Sequence, residues 1–228
     1  MTINAVRTTR IFCRPECPAR PLPRNVEHLE TIGHALAAGY RPCKRCHPLH
    51  DPAAPPARDA AAAGLAVVET PLGAMIAAEW QGGLAMLEFF DRRMLATQFR
   101  RLGRLLSCTF EMRETALFGR VRAQLAEYFD GRRGSFDVPL MTAGTDFQQR
   151  AWTALLTIPA GVTRSYKEQA RAIGQPAAVR AVARANGDNR IAIVIPCHRV
   201  IGSDGALTGY GGKLWRKKAL LEIERRNR

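Results

Sequence analysis

Cys197 and His198 stand side by side behind Pro196, at the end of the apolar run Ile191-Ala192-Ile193-Val194-Ile195. Four more cysteines fall in two close pairs, Cys13 with Cys17 and Cys43 with Cys46, spaced C-x3-C and C-x2-C across a gap of 25 residues. Two short cysteine pairs that can converge are the donor set of a four-thiolate, tetrahedral zinc site. His47 and His50 lie close by, but four cysteines already close the shell. A unit of about 50 residues has too little core to hold itself without a metal, so a purely structural site is one reading. The other reading is reactive. Four thiolates around Zn2+ leave a formal charge of about −2, electron density that can make one sulfur nucleophilic. Arg7, Arg10, Arg14, Arg41, Lys44 and Arg45 flank the cluster and would draw phosphate to it.

A free thiol, with a pKa of about 8.5, is only a few per cent ionised at neutral pH. For Cys197 to act as a nucleophile that value must fall by roughly two units, worth about 3 kcal/mol. His198 is the obvious helper, yet neighbouring side chains in an extended segment point to opposite faces. A direct dyad therefore needs a sharp turn at Pro196-Cys197, or a bridging water. A third, orienting group is expected as well. Glu224 is the candidate, since it lies i+4 from Leu220 and i+3 from Leu221 on the apolar side of the last helix. An exposed helix-end Glu is the alternative for that position. A buried structural thiol beside a satisfied His is the alternative for Cys197. Cys108, among apolar residues, reads as a buried small hydrophobe.

The elements that must position these groups can be read along the chain. Asn25 can cap a helix carrying Val26, Leu29, Ile32 and Leu36, with Gly39 as its stop. Residues 50–64, HDPAAPPARDAAAAG, form an Ala/Pro linker. The stretch LAVVETPLGAMIAAEWQGGLAMLEFF predicts three short strands, broken at Pro71-Leu72-Gly73 and at Gln81-Gly82-Gly83. One helix should then carry Leu95, Phe99, Leu102 and Leu106, and another Leu117, Val121, Leu125 and Tyr128. Ser165 and Glu168 form a capping box that opens a helix to about Ile173. Gly174-Gln175-Pro176 breaks it, and Pro176 suits the first turn of a second helix with Arg180 and Arg184 on one face. Two short helices with a Gly-containing turn suggest a helix-turn-helix. The Ala and Val of the second helix favour close approach to a groove over long-reach base readout.

Composition bounds the function. The chain of 228 residues is 46% hydrophobic and 24% charged, which are globular values. No apolar run is long enough to span a bilayer and MTINAVRTTRIFC has no apolar stretch of signal-peptide length, so a soluble intracellular protein without a membrane partner or disulfide framework is expected. The net charge of +14 is uneven. Residues 1–50 carry 8 Lys/Arg against 3 Asp/Glu, residues 51–143 carry 11 against 11, and residues 144–228 carry 15 against 6. Two basic ends around a neutral middle point to a nucleic-acid backbone.

The segment NRIAIVIPCHRVIG, residues 189–202, resembles the active-site signature of the O6-alkylguanine-DNA alkyltransferases. The likeness extends over residues 145–224, through TDFQQRAWTALLTIPAGVTRSYKEQARAIG, AVRAVARANGDN and GYGGKLWRKKALLEIE. The middle region, from VVETPLG to FDVPL, is similar to their N-terminal α+β part. The first 50 residues, with IFCRPEC and YRPCKRC, resemble the zinc domain of the Ada adaptive-response proteins. The resemblance implies an α+β fold: a zinc domain over 1–49, a linker over 50–64, a three-strand/helix ribonuclease-H-like subdomain over 65–142, and a mostly helical catalytic subdomain with the helix-turn-helix over 143–228. It implies a single-turnover methyltransferase acting on double-stranded alkylated DNA as a monomer in the bacterial cytoplasm, with one Zn2+ on Cys13, Cys17, Cys43 and Cys46 and no organic cofactor. Cys197 would take the alkyl group from O6-alkylguanine, and from O4-methylthymine, in a flipped-out nucleotide. His198 would act as base through a water, with Glu224 orienting it and Asn189 bracing the turn before the active-site strand. The second helix, residues 176–186, would enter the minor groove. Arg180 would fill the vacated space, Tyr166 would rotate the nucleotide and assist the leaving guanine, and Arg184 would also contact DNA. Cys13 would accept a methyl from a methylphosphotriester.

Two departures accompany the likeness. The Ada proteins carry an AraC-type domain between the zinc domain and the alkyltransferase, and here that gap holds only the linker. Only 12 residues precede Cys13, fewer than the family carries, so the first strands of the zinc unit are expected to be missing. Gly211 stands where some members have Ser, and offers only its backbone to the base. A methylation-sensing regulator and a cysteine hydrolase are the rival classes. The missing AraC-type domain argues against the first, and the adjacent placement of Cys197 and His198 against the second.

Overall fold

The computed structural model describes residues 3–49 and 61–226. Residues 50–60, most of the expected linker, lie outside the described residues.

Residues 3–49 build a four-stranded sheet and one short helix. Strand β1 (Ile3–Val6) runs antiparallel between β2 (Ile11–Cys13) and β3 (Val26–Leu29), and β4 (Arg41–Pro42) joins β2 in parallel. The residues before Cys13 supply two strands of this sheet, β1 and β2. Strand β3 corrects the helix expected from Asn25. Val26 and Leu29 have helical spacing, but pairing with Val6 and Ile3 commits their backbone to the sheet. The helix is only α1 (Ile32–Ala37), and its cap is Thr31, whose hydroxyl accepts from His34 N–H. It stops at Gly39 as expected. The φ of +74° there lets Gly39 and Tyr40 N–H turn back onto Leu36 O and Ala35 O.

The second sheet runs in the order β7 (Gly83–Phe89), β6 (Met75–Trp80), β5 (Ala62–Val68), β8 (Thr109–Met112). The first three are the expected antiparallel meander. Strand β8 adds a fourth, parallel to β5, and its pairing of Ala62–Gly64 with Thr109–Glu111 turns the last linker residues into strand. Side chains alternate across the sheet. Met75 and Ala77 face one core with Leu117, Val121, Leu125 and Tyr128 of α3 (Ala116–Phe129). Ile76 and Ala78 face the other with Leu95, Phe99 and Leu102 of α2 (Leu95–Leu106). Cys108 is buried beside them, as a small hydrophobe.

The small unit joins that second core. Ile3, Phe12, Ile32, Leu36 and Tyr40 belong to the same buried cluster as α2 and β8. Gly33 backs directly onto Phe90, so that a Cβ would strike the Phe90 carbonyl oxygen.

The last third is mostly helical, with α4 (Asp146–Leu156), α5 (Tyr166–Ala172), α6 (Val179–Gly187) and α7 (Leu214–Arg226). Two dipeptide strands, β9 (Arg164–Ser165) and β10 (Val200–Ile201), pair in parallel. The Ser165–Glu168 capping box opens α5 as expected, and Thr145–Gln148 forms a second box on α4. Helix α6 begins at Val179 rather than Pro176. Residues 175–178 close a turn of their own, with Ala178 N–H on Gln175 O at 2.9 Å. Gln169 and Asn186 exchange side-chain amide bonds of 3.0 and 2.7 Å, which lock α5 against α6. The Trp152 indole N–H holds Ala185 O at 2.8 Å and ties α6 to α4.

Gly33→Ala should lower stability by about 1–3 kcal/mol, because backbone rather than a movable side chain meets the new methyl. Thermal melting of the zinc-loaded chain checks this, and an unchanged midpoint would contradict the close packing of α1 on Phe90.

Candidate active site and metal centre

The apolar run before Cys197 is not the strand that was expected. Only Ile191 bridges the free edge of β7, where Leu87 N–H donates to Arg190 O and Leu87 O accepts from Ala192 N–H, both at 2.8 Å. Beyond that the chain coils. Ile193 takes a φ of +71°, Ile195 N–H returns to Ile191 O, and Cys197–Arg199 forms one 3-10 turn. Coiling rather than extension brings the sharp turn that a Cys–His pair needs. Asn189 braces this coil instead of a strand. Its Oδ1 accepts from Ile191 N–H, and its Nδ2 donates to Ile195 O at 2.9 Å and to Cys197 Sγ at 3.2 Å.

Glu224, from the last turns of α7, is 3% exposed and anchors the other side of the turn. Its Oε1 lies 2.8 Å from His198 Nε2 and accepts from Tyr128 OH at 2.8 Å and Arg199 Nη2 at 2.9 Å. Its Oε2 accepts from Gly161 N–H at 2.9 Å, and Arg199 Nε reaches both oxygens at 3.1 Å. Burial alone would raise this carboxyl, but the bonds from His198 and Arg199 outweigh it and hold it well below the usual carboxylate range. Burial pushes His198 down against the pull of Glu224, so the imidazole is neutral. An ionised carboxylate only accepts, which makes Nε2 the protonated nitrogen and leaves the Nδ1 lone pair to take a proton. Among the described residues Nδ1 has no protein partner. Burial also raises the Cys197 thiol above its ordinary value, with the Asn189 bond opposing. The resting sulfur is therefore a thiol, and its proton must leave during attack.

Tyr166 opens α5, and its hydroxyl donates to Thr208 O at 3.2 Å across the loop after β10. Arg180 and Arg184 are exposed on α6, whose buried side is Val182, Ala185 and Asn186. Two expected site residues thus lie in the outer helix, while Asn189 touches Cys197 and Glu224 holds the neighbouring His198.

Sequence reasoning passed over four supporting side chains. Arg199 and Tyr128 bind Glu224, and half-buried Tyr210 carries a buried hydroxyl with no partner among the described residues. Lys217 is fully buried, and its Nζ donates to Val200 O at 2.6 Å and Thr208 O at 2.7 Å, tying the loop to α7. Burial brings Lys217 down to about 8. A signal existed for two of them. Arg199 belongs to the PCHRV stretch, and Lys217 shares the Glu224 face of α7, seven residues earlier.

The four cysteines of the first unit converge. Their ligand atoms lie within 4.8 Å of one another, near the sulfur–sulfur edge of about 3.8 Å for tetrahedral Zn–S bonds of about 2.3 Å. Cys13 ends β2, and Cys43 and Cys46 follow β4. Arg45 N–H points at Cys43 Sγ and Arg14 N–H at Cys46 Sγ, both at 3.4 Å. Without a cation, burial and the neighbouring sulfurs raise Cys13, and push Cys46 up to about 12. Four thiolates so close need a divalent metal, and the donor set fits Zn2+.

Comparison with known proteins gives a consistent result. Residues 2–49 match the metal-binding domain of Ada, residues 65–142 the ribonuclease-like domain of 6-O-methylguanine DNA methyltransferase, and residues 146–226 its DNA-binding domain. The chain is 56% identical over 128 residues to a methylated-DNA–protein-cysteine methyltransferase of Mycobacterium bovis, covering 54% of this chain and 78% of the relative. It is 44% identical over 162 residues to that of Methanosarcina barkeri, covering 71% and 96%. The solved structure of Mycobacterium tuberculosis OGT in complex with DNA superposes with a TM-score of 0.62 at 44% identity, covering 72% of this chain and 94% of that one.

Two outcomes follow from this geometry. Glu224→Gln should cost about 3–5 kcal/mol at neutral pH, since it leaves Arg199 as an uncompensated buried charge. Because the folded carboxyl is depressed, its contribution is complete above about pH 4.3 and is lost as pH falls toward its folded value. Denaturation at several pH values should show acid destabilisation in the parent chain and a flatter profile in the variant. Chelating the zinc should abolish amide-exchange protection over β1–β3 while α4–α7 keep theirs, and full retention over β1–β3 would contradict a metal-held fold.

Proposed function

From the premise that the chain belongs to the methylated-DNA–protein-cysteine methyltransferases, we propose that Cys197 is its acceptor sulfur. The protein is a DNA-binding, zinc-binding transferase that repairs DNA by direct reversal. The observation that carries the residue assignment is that Asn189 donates to the Cys197 thiol while the next residue, His198, is held by the buried Glu224 carboxylate.

The substrate is O6-alkylguanine, and O4-methylthymine, in double-stranded DNA, met by a monomer. The alkyl carbon is out of reach inside the stack, so the nucleotide must be rotated out. The small side chains of α6 allow close approach to the minor groove. Arg180 occupies the space left by the base, Arg184 contacts the backbone, and Tyr166 guides the nucleotide toward Cys197. His198 Nδ1 takes the thiol proton through a water, and Glu224 stabilises the imidazolium as it forms. The sulfur then attacks the alkyl carbon in line. The S–C bond forms as the C–O6 bond breaks, the electron pair returns to the base, and the proton follows it to give guanine. Tyr166 assists this leaving group. The thioether is stable, so each molecule acts once.

The zinc unit supports a second acceptor. Cys13, Cys17, Cys43 and Cys46 would hold Zn2+, which would keep their sulfurs ionised at neutral pH. N–H groups directed at Cys43 and Cys46 draw charge from those two sulfurs. That leaves Cys13 and Cys17 as the more electron-rich pair, and the resemblance to the Ada zinc domain points to Cys13 as the methyl acceptor from a methylphosphotriester. Methylation would take the site from about −2 to about −1 and reduce its repulsion of phosphate.

Peptide mass spectrometry of the zinc-loaded chain, incubated separately with a duplex holding O6-methylguanine and one holding a methylphosphotriester, checks both assignments. The first should add one methyl to the Cys197 peptide and the second one methyl to the Cys13 peptide. A bare Cys197 peptide would refute the first assignment, and a bare Cys13 peptide in zinc-bound protein the second.

A further inference from the structure

Glu88, at the end of β7, and Arg92, just before α2, form a buried ion pair outside the groups considered so far. Glu88 is 1% exposed and Arg92 7%. A buried pair of this kind costs desolvation and is weak evidence for stability alone, which raises the question of what else it does. Beyond Glu88, the Arg92 guanidinium reaches the end of α6 and the turn that leads to Cys197. Its Nη1 donates to Asn189 O at 3.0 Å as well as to Glu88, and its Nη2 donates to Gly187 O at 2.6 Å. Gly187 is the last residue of α6, so a cation there also meets the negative end of the DNA-reading helix. Asn189 is the residue whose amide reaches Cys197 Sγ. The third surface Arg92 touches is Gly211. A Cβ on Gly211 would meet Arg92 Cζ and Nη1 at 2.7 Å and Nη2 at 3.1 Å, so no side chain fits while the arginine is there.

We propose that Arg92 is a positioning residue for alkyl transfer: its fork fixes the end of α6 and the Asn189 turn to each other, and its bulk sets the shape of the base pocket at Gly211. The assignment rests on Cys197 as the acceptor. It explains why Gly stands after Tyr210. The volume that a larger residue would take at 211 is filled from the opposite subdomain, so positions 92 and 211 are coupled in size. Glu88 is the counter-charge that lets a guanidinium sit there. Lysine cannot replace it, because one ammonium cannot span two carbonyls with the planar fork.

The test uses the full zinc-loaded chain and reads the single-turnover rate of Cys197 methylation by an O6-methylguanine duplex, beside the affinity for an undamaged duplex. Arg92→Lys keeps the charge pair and the fold. It should slow transfer about tenfold or more, as sub-ångström misplacement of reacting groups does, with a much smaller loss of undamaged-duplex affinity. Gly211→Ser should slow the parent chain by a similar factor. In a Glu88→Gln/Arg92→Ala background, where the space is open and no charge is stranded, the same serine should cost less than about twofold, a non-additivity expected only of sites in contact. Transfer at the parent rate in Arg92→Lys would overturn the positioning role. An equal cost of Gly211→Ser in both backgrounds would overturn the coupling. If the parent chain itself gains no methyl on Cys197, the acceptor assignment fails instead, and the two failures are distinct.

Discussion

One buried carboxylate constrains the C-terminal half of the molecule. Glu224 receives His198 and Arg199 from the acceptor turn, Tyr128 from α3 and Gly161 from the loop after α4. These donors come from three different parts of the chain, and each must be in place before the charge is satisfied. An ionised group at that depth without partners would cost several kcal/mol, so the turn carrying Cys197 cannot relax away from α7 cheaply. The same bonds fix the chemistry. They set the tautomer of His198, keep its second nitrogen available and supply the negative charge that an imidazolium needs.

The sheet holds the turn from the other side. The β7 edge takes the Ile191 backbone through Leu87, and the Glu88–Arg92 pair reaches past it to Asn189 and Gly187. The α+β subdomain is therefore more than a platform for the helical part. It contributes backbone and guanidinium contacts within one residue of the group that touches the sulfur. Between sheet and carboxylate, five apolar residues coil in a space where an extended strand would have carried Cys197 and His198 to opposite faces.

The chain carries two sulfur chemistries under opposite conditions. Cys197 is buried, and burial holds its thiol above the ordinary value, so in the proposed transfer a base must remove its proton. The sulfurs of the zinc unit are so close that all four could be ionised together only around a divalent cation, which would keep them so. The two sites are not independent in the fold, because Ile32, Leu36 and Tyr40 of the zinc unit enter the core under α2. Metal binding at one end therefore supports packing that reaches the sheet behind the other.

Spacing alone identified the four-cysteine site, the meander from Leu65 to Phe89, the faces of α2 and α3, and the Ser165 cap, because each depends on neighbours a few residues apart. Glu224 was found the same way, from its place on the apolar side of a helix. The errors share one cause. Val26–Leu29 has helical spacing but is a strand because β1 lies beside it, and Ile191–Ile195 has strand composition but coils because β7 offers it only one bridge. Local pattern cannot encode a partner that is distant in sequence. Arg92 and Tyr128 were invisible for the same reason, since their partners lie 97 and 96 residues away. The sequence by itself determined which groups could react and which short segments would carry them. Only the tertiary structure decided what surrounds those groups, because burial and long-range hydrogen bonds, rather than residue type, set the protonation of Cys197, His198 and Glu224.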